Sequence, residues 1–142
     1  MQWGVSVMDW SRIQYFTPEE FDDSGFPGSG EEIDLMTVWI LELLRRKTGW
    51  PIVVLDAVDV EGVRHSRYSC HNLKRDRLQA SAVDFWFKTK AGFRDQARAV
   101  LLSGFTGIGV YQGWAHPGFH GDRRARFQVW KRSEGKYTYL LS

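Results

Sequence analysis

The chain of 142 residues holds one cysteine, Cys70, so no intrachain disulfide can form. That suits a reducing compartment. Cys70 reads as a small semi-buried residue, because a nucleophilic role would need a neighbouring base and a lowered thiol pKa. Long apolar runs are missing too. The longest, Met36 to Leu44, is interrupted by Thr37 and Glu42 and is too short to span a bilayer. Met1 to Trp10 lacks a basic segment followed by an apolar one, so no secretory leader is expected and synthesis in the cytoplasm is. The net charge of +2 is too small to require a nucleic-acid partner. No internal repeat, low-complexity tract or long linker divides the sequence. Residues 1–142 are therefore expected to form one domain, able to bury roughly 70% of its unfolded surface without staples.

The charge that is present is uneven. Arg64, Arg67, Lys74, Arg75 and Arg77 cluster with only Asp76 opposing them, and Arg123, Arg124, Arg126, Lys131 and Arg132 form a second group. Solvated surface is the default reading of both, and an anionic ligand or acidic protein partner is the alternative. The seven tryptophans are many for this length; most are expected in the core, some along a groove.

Patterning gives a fold class. Thr17, Pro18 and Glu20 make a capping box, and Phe16 with Phe21 a hydrophobic staple, so a short helical turn is predicted there. Gly25 to Gly30 reads as a loop. Glu31 to Lys47 reads as a helix with Ile33, Met36, Ile40, Leu43 and Leu44 as its buried stripe and Gly49 as its C-cap. Ile52 to Val58 reads as a strand, with Glu61-Gly62 turning it back into Val63–Tyr68. Ser81 to Phe87 reads as another, with Ala82, Asp84 and Trp86 on one face. Ala91 to Ser103 reads as a second helix with Phe93, Ala97, Val100 and Leu101 inward. Strand-like pieces follow at Ile108–Tyr111, Gly118–Asp122, Phe127–Lys131 and Tyr137–Leu141, the last two joined by a three-residue loop, Ser133-Glu134-Gly135. The expected class is α+β, a mainly antiparallel sheet packed against two helices.

Two residues in this frame can carry chemistry. Asp84 interrupts an otherwise apolar strand, and a buried carboxylate is costly unless a cation, a metal or several donors meet it. His120 follows on another strand, and histidine is the commonest zinc ligand. A catalytic zinc takes three protein ligands and leaves one position for water.

With these residues the stretch from Ser81 to Arg126 resembles the zinc D-alanyl-D-alanine carboxypeptidases, whose fold is shared with the hedgehog signalling domain and phage L-alanyl-D-glutamate endopeptidases. The family's Ser-x-His-x-x-Gly-x-Ala-x-Asp motif is matched at Ala82 and Asp84, and its Gly-x-Gly-x-Tyr strand at Gly107 to Tyr111. Its closing His-x-Asp-x-Arg matches His120, Asp122 and Arg124, and its Arg-x-x-x-His-Asn resembles Arg67 through His71-Asn72. Tyr15 to Phe21 looks like phage-borne members. The resemblance implies zinc on Asp84 and His120 and a peptidoglycan peptide as substrate. It implies Arg67 on the substrate carboxylate, with Tyr111 and Trp114 as further substrate-binding candidates, and a lysis or virion-associated setting.

The departures set the functional expectation. Counting back from Asp84 at the family's spacing, the first zinc histidine falls on Arg77, its serine on Arg75 and its glycine on Ala80. Arginine donates only and cannot bind zinc. Either His71 or His116 would have to complete the site. Otherwise Arg77 pairs with Asp84 in place of the metal. The position three before the last histidine, an acid in related endopeptidases, is Pro117. Asp122 and His116 are then the candidates for acid–base work. The expectation is a degenerate, metal-free, non-catalytic relative that binds cell wall or serves as a structural or assembly module. The alternative is an active zinc peptidoglycan peptidase. A nucleic-acid-binding domain is a weaker third reading, since no aromatic–basic motif of a known module is present.

Overall fold

Asp34 starts the longer helix, α1 (Leu35–Thr48), by accepting the Met36 N–H, and Gly49 ends it at φ 73. The predicted start at Glu31 was too early. Ser29–Glu32 form a separate 3-10 turn, and Ile33 is extended, bridging in parallel to Ala80. The detour changes the helix phase. Thr37, Val38, Leu41, Glu42 and Leu44 are buried, while Met36 and Leu43 of the predicted stripe are 44% and 43% exposed. Glu42 explains the shift: its carboxylate accepts the Gln14 and Tyr15 N–H groups and pairs with Arg46, tying the N-terminal segment to the helix. A charge meeting its partners overrides the apolar periodicity. The N-terminal turn Pro18–Phe21 forms as read, with Glu20 accepting the Thr17 N–H and the Phe16 and Phe21 rings 5.9 Å apart.

The computed structural model of the chain describes residues 9–62, 64–66, 68–73, 79–112 and 115–141. Among these, the strands are β1 (Ile52–Asp56), β2 (Ala82–Phe87), β3 (Gly107–Tyr111), β4 (Gly118–Asp122), β5 (Gln128–Ser133) and β6 (Lys136–Leu141), with α2 (Phe93–Leu101) before β3. They form one six-stranded sheet in the order β1-β2-β4-β3-β5-β6, antiparallel except where β3 meets β5. The expected α+β class holds. One face carries Phe85, Phe87, Ile108 and Phe119, which join Val38 and Leu41 of α1 and Val100 of α2 in one apolar cluster. Each such burial contributes about 1.5–3 kcal/mol.

Other expectations needed correction. α2 is shorter than predicted and buries Gln96 and Val100; Phe93 and Leu101 are 42% and 45% exposed. Gln96 turns inward because its amide donates to the Ala91 carbonyl. Residues 64–66 and 68 are in no strand. Asp59 organises them as a loop instead, as described below. The β5–β6 turn has two residues, Glu134 (φ 51) and Gly135 (φ 77), with Ser133 paired to Lys136. Positive φ at both turn residues suits the right-handed strand twist. No helix among the described residues is long and apolar enough to cross a membrane.

Candidate metal centre

One line of register crosses the whole sheet. Asp56 of β1 lies opposite Asp84 of β2, which lies opposite His120 of β4; His120 lies opposite Gly109 of β3, then come Trp130 of β5 and Tyr139 of β6. Facing residues point to the same side of a sheet, so this row occupies the face turned away from the apolar cluster. The glycines of the Gly-x-Gly strand provide clearance for it. A Cβ at Gly109 would come within 2.7 Å of the Trp130 ring nitrogen and 3.1 Å of His120 Cβ, and one at Gly107 would overlap the Asp122 carboxylate.

His120 is clamped between two carboxylates. Its Nδ1 lies 2.7 Å from Asp84 Oδ1 and its Nε2 2.8 Å from Asp122 Oδ2. Asp122 is fully buried and also accepts from Arg124 Nε (2.9 Å) and Nη2 (2.6 Å), while that guanidinium lies over the Trp130 ring. Only a doubly protonated imidazole can donate to both carboxylates. Burial opposes that charge, but the hydrogen bonds to Asp122 and Asp84 outweigh it and raise His120 to about 10. Burial would likewise raise Asp84 and Asp122. The bond from His120 to Asp84, with the His71 ring close by, and the bonds from Arg124 and His120 to Asp122 hold both well below the usual carboxylate range.

His71 reaches the same place from a loop. Asp59 is the hub of that loop: its carboxylate accepts the N–H groups of Gly62, Arg64 and His65, and its own N–H donates to the His71 carbonyl at 2.9 Å. The His71 ring is buried. Its Nδ1 lies 2.6 Å from the Ala57 carbonyl oxygen, which can only accept, so Nδ1 carries the proton. Nε2 is left facing Asp84 Oδ1 at 3.6 Å. His71, Asp84 and His120 thus offer donor atoms within 4.8 Å of one another. Four-coordinate zinc with bonds of about 2.0–2.1 Å sets neighbouring donors about 3.3 Å apart. The separations of 2.7 Å and 3.6 Å bracket that value and the third lies within 4.8 Å, so two imidazoles and a carboxylate are a donor set suited to the ion. Asp122 and the Ala57 carbonyl already hold the far nitrogens, as ligating histidines require.

The remaining predicted residues divide. Arg67, Arg75, Arg77 and Trp114 lie outside the described residues, so the Arg77–Asp84 pairing does too. His116 belongs to neither three-donor group. It stacks on Trp86 (3.8 Å, 14°), two residues along β2 from Asp84, and its buried Nδ1 has no hydrogen-bond partner among the described residues. Asp122 stands behind His120, saturated by Arg124, in a position to orient rather than to take a substrate proton. Tyr111 lines a shallow cavity of about 220 Å³ with Gln112, Arg132, Glu134 and Gly135. Burial and the nearby Asp84 carboxylate keep its hydroxyl protonated well above the usual tyrosine range.

Sequence reasoning missed His65, Asp56 and Asp59. His65 stacks on His71 at 4.2 Å and sits between Asp56 Oδ2 (2.8 Å) and Asp59 Oδ2 (2.9 Å). The signal is the two histidines six positions apart, masked by the strand-like pattern of Val63–Tyr68. Comparison with protein-family models, with curated proteins and with solved structures finds no match to this chain.

Proposed function

We propose that the chain is a zinc-dependent hydrolase of the DD-peptidase type, acting on peptides of the bacterial cell wall. The observation that carries this is the meeting of His71 with Asp84 and His120. It favours an active site over the degenerate one expected from spacing. Ser69-Cys70-His71 supplies the family's Ser-x-His, and His71 precedes Asp84 by thirteen positions instead of seven. An insertion in the intervening loop accounts for the arginine found by counting back at fixed spacing.

In this reading His71, Asp84 and His120 hold the ion, which when bound polarises a carbonyl and brings the pKa of a water towards about 7. Asp122 and Arg124 fix the His120 tautomer. The protonated Tyr111 hydroxyl, on the same face, is a donor for a substrate oxygen on which negative charge develops. His116, stacked on Trp86 and with its Nδ1 unpartnered among the described residues, is the titratable group next along that face and takes the proton-transfer role vacated at Pro117.

Pro117 itself favours a second reading, a protein that keeps the ion and the cleft but binds cell-wall peptide without cutting it. Incubation of the zinc-loaded chain with purified muropeptides separates the two. Turnover that falls on His120→Ala supports the peptidase. Retained muropeptide binding with no turnover supports the binding protein. A chain that holds no zinc overturns both.

A further inference from the structure

The His65 cage repeats the His120 cage on the other side of His71. His120 lies between Asp84 and Asp122, His65 between Asp56 and Asp59. In each pair one carboxylate is anchored elsewhere, Asp122 by Arg124 and Asp59 by loop N–H groups. The other, Asp84 or Asp56, is the one nearest His71's side of the cage, so Asp56, His65 and His71 also bring donor atoms within 4.8 Å of one another. His71 is common to both groups and has one nitrogen to give, because Nδ1 is committed to the Ala57 carbonyl.

We infer that a single divalent cation has two alternative seats here: an inner one on His71, Asp84 and His120, and an outer one on Asp56, His65 and His71, which serves as the loading position. The inner seat rests on the zinc reading above; the outer seat is new. Three features support it. Asp56 and His65 side chains are 25% and 17% exposed against 18% for Asp84 and 8% for His120, with His71 common to both, so the outer pair is the more open of the two to an ion arriving from solvent. Among the described residues, five carboxylates (Asp23, Asp56, Asp59, Asp84, Asp122) face two guanidiniums (Arg64, Arg124), so with neutral imidazoles the cluster is three charges negative and one dication reduces that excess to one. The outer seat is also the weaker one, since Arg64 Nη1 already lies 2.8 Å from Asp56 Oδ1 and must move aside. One shared nitrogen makes the seats exclusive, so the stoichiometry stays at one ion per chain.

Titration of the metal-stripped full chain with Co²⁺, followed by calorimetry and by visible absorption, tests this. The wild type takes up one ion. Asp84→Asn still takes up one, more weakly by at least the 10–100-fold typical of a damaged site, with an altered spectrum. Adding His65→Gln or Asp56→Asn to Asp84→Asn removes that residual binding. His65→Gln alone slows Co²⁺ uptake in rapid mixing, and uptake at the wild-type rate overturns the loading role. A folded Asp84→Asn chain, judged by its thermal unfolding, that binds no Co²⁺ overturns the outer seat and leaves the inner one standing. So does residual binding indifferent to both outer substitutions. Wild-type affinity in Asp84→Asn, lost on His65→Gln alone, overturns the inner seat instead. No Co²⁺ bound by any variant overturns both.

Discussion

His120 sits on a central strand between Asp84 and Asp122, and His65 sits in the loop after β1 between Asp56 and Asp59. The chemistry of the two cages is alike; the supports differ. The first is set by strand register, so its side chains are fixed by sheet hydrogen bonds on both sides. The second is set by Asp59, whose carboxylate gathers loop N–H groups that no ladder satisfies. The sheet cage should therefore fail with the whole fold, and the loop cage should fail by itself. His71 belongs to the loop but is buried like a core residue, so the loop cage controls a ligand of the sheet cage.

Removing each anchor in turn separates the two cages. Asp122→Ala leaves His120 and Arg124 without their shared carboxylate in a buried place and should cost about 3–5 kcal/mol of global stability, read from denaturant unfolding. Asp59→Ala should cost less globally, about 1–3 kcal/mol, while opening residues around His71 to amide exchange far below the global limit. Equal global losses with no local opening would show that the loop is part of the same cooperative unit as the sheet.

The pH dependence of the metal-free chain sharpens the account of the sheet cage. His120 is raised from 6.5 to about 10, so its contribution is whole below pH 6.5 and is lost as pH climbs from 6.5 towards about 10. Asp84 and Asp122 are held below 3.8, so their contribution is whole above that value and is lost as pH falls through the acid range. Thermal unfolding should be most resistant between these limits. His120→Gln should flatten the alkaline limb; an unchanged limb would assign it to other groups.

The smaller effects concern packing. Gly109→Ala should cost about 1–3 kcal/mol by pushing Trp130 against His120, with a matching loss of metal affinity. Leu43→Ala should stay within about 0.5 kcal/mol because Leu43 is 43% exposed, whereas the periodic pattern alone would have put it in the core.

That contrast runs through the whole chain. The sheet side of the site was legible because a strand alternates rigidly. Asp84 in an apolar strand and His120 in another are visible as polar residues among apolar ones, and strand register brings them opposite each other. The glycine pair at 107 and 109 matched a motif before its reason, clearance for Asp122, His120 and Trp130, was apparent. The loop side was not legible. Val58 to Tyr68 has β-branched residues and a Glu-Gly turn signal, which suggested a hairpin; the hub role of Asp59 depends on backbone N–H groups that no side-chain pattern reveals. Counting back from Asp84 at a fixed spacing lands on Arg77 and passes over His71, because a motif spacing assumes a loop of fixed length. Helix phase failed at α1 because Glu42, read as an interruption, is buried and satisfied by Gln14 and Tyr15.

The claim on which the rest depends is that His71 completes a metal centre with Asp84 and His120. Zinc stoichiometry and affinity of the full chain, measured beside His71→Ala, test it most directly. The prediction is one zinc per chain in the wild type, bound at least 10–100-fold more weakly when the His71 ring is removed. Zinc held equally well by His71→Ala, or no zinc held by the wild type, would contradict it.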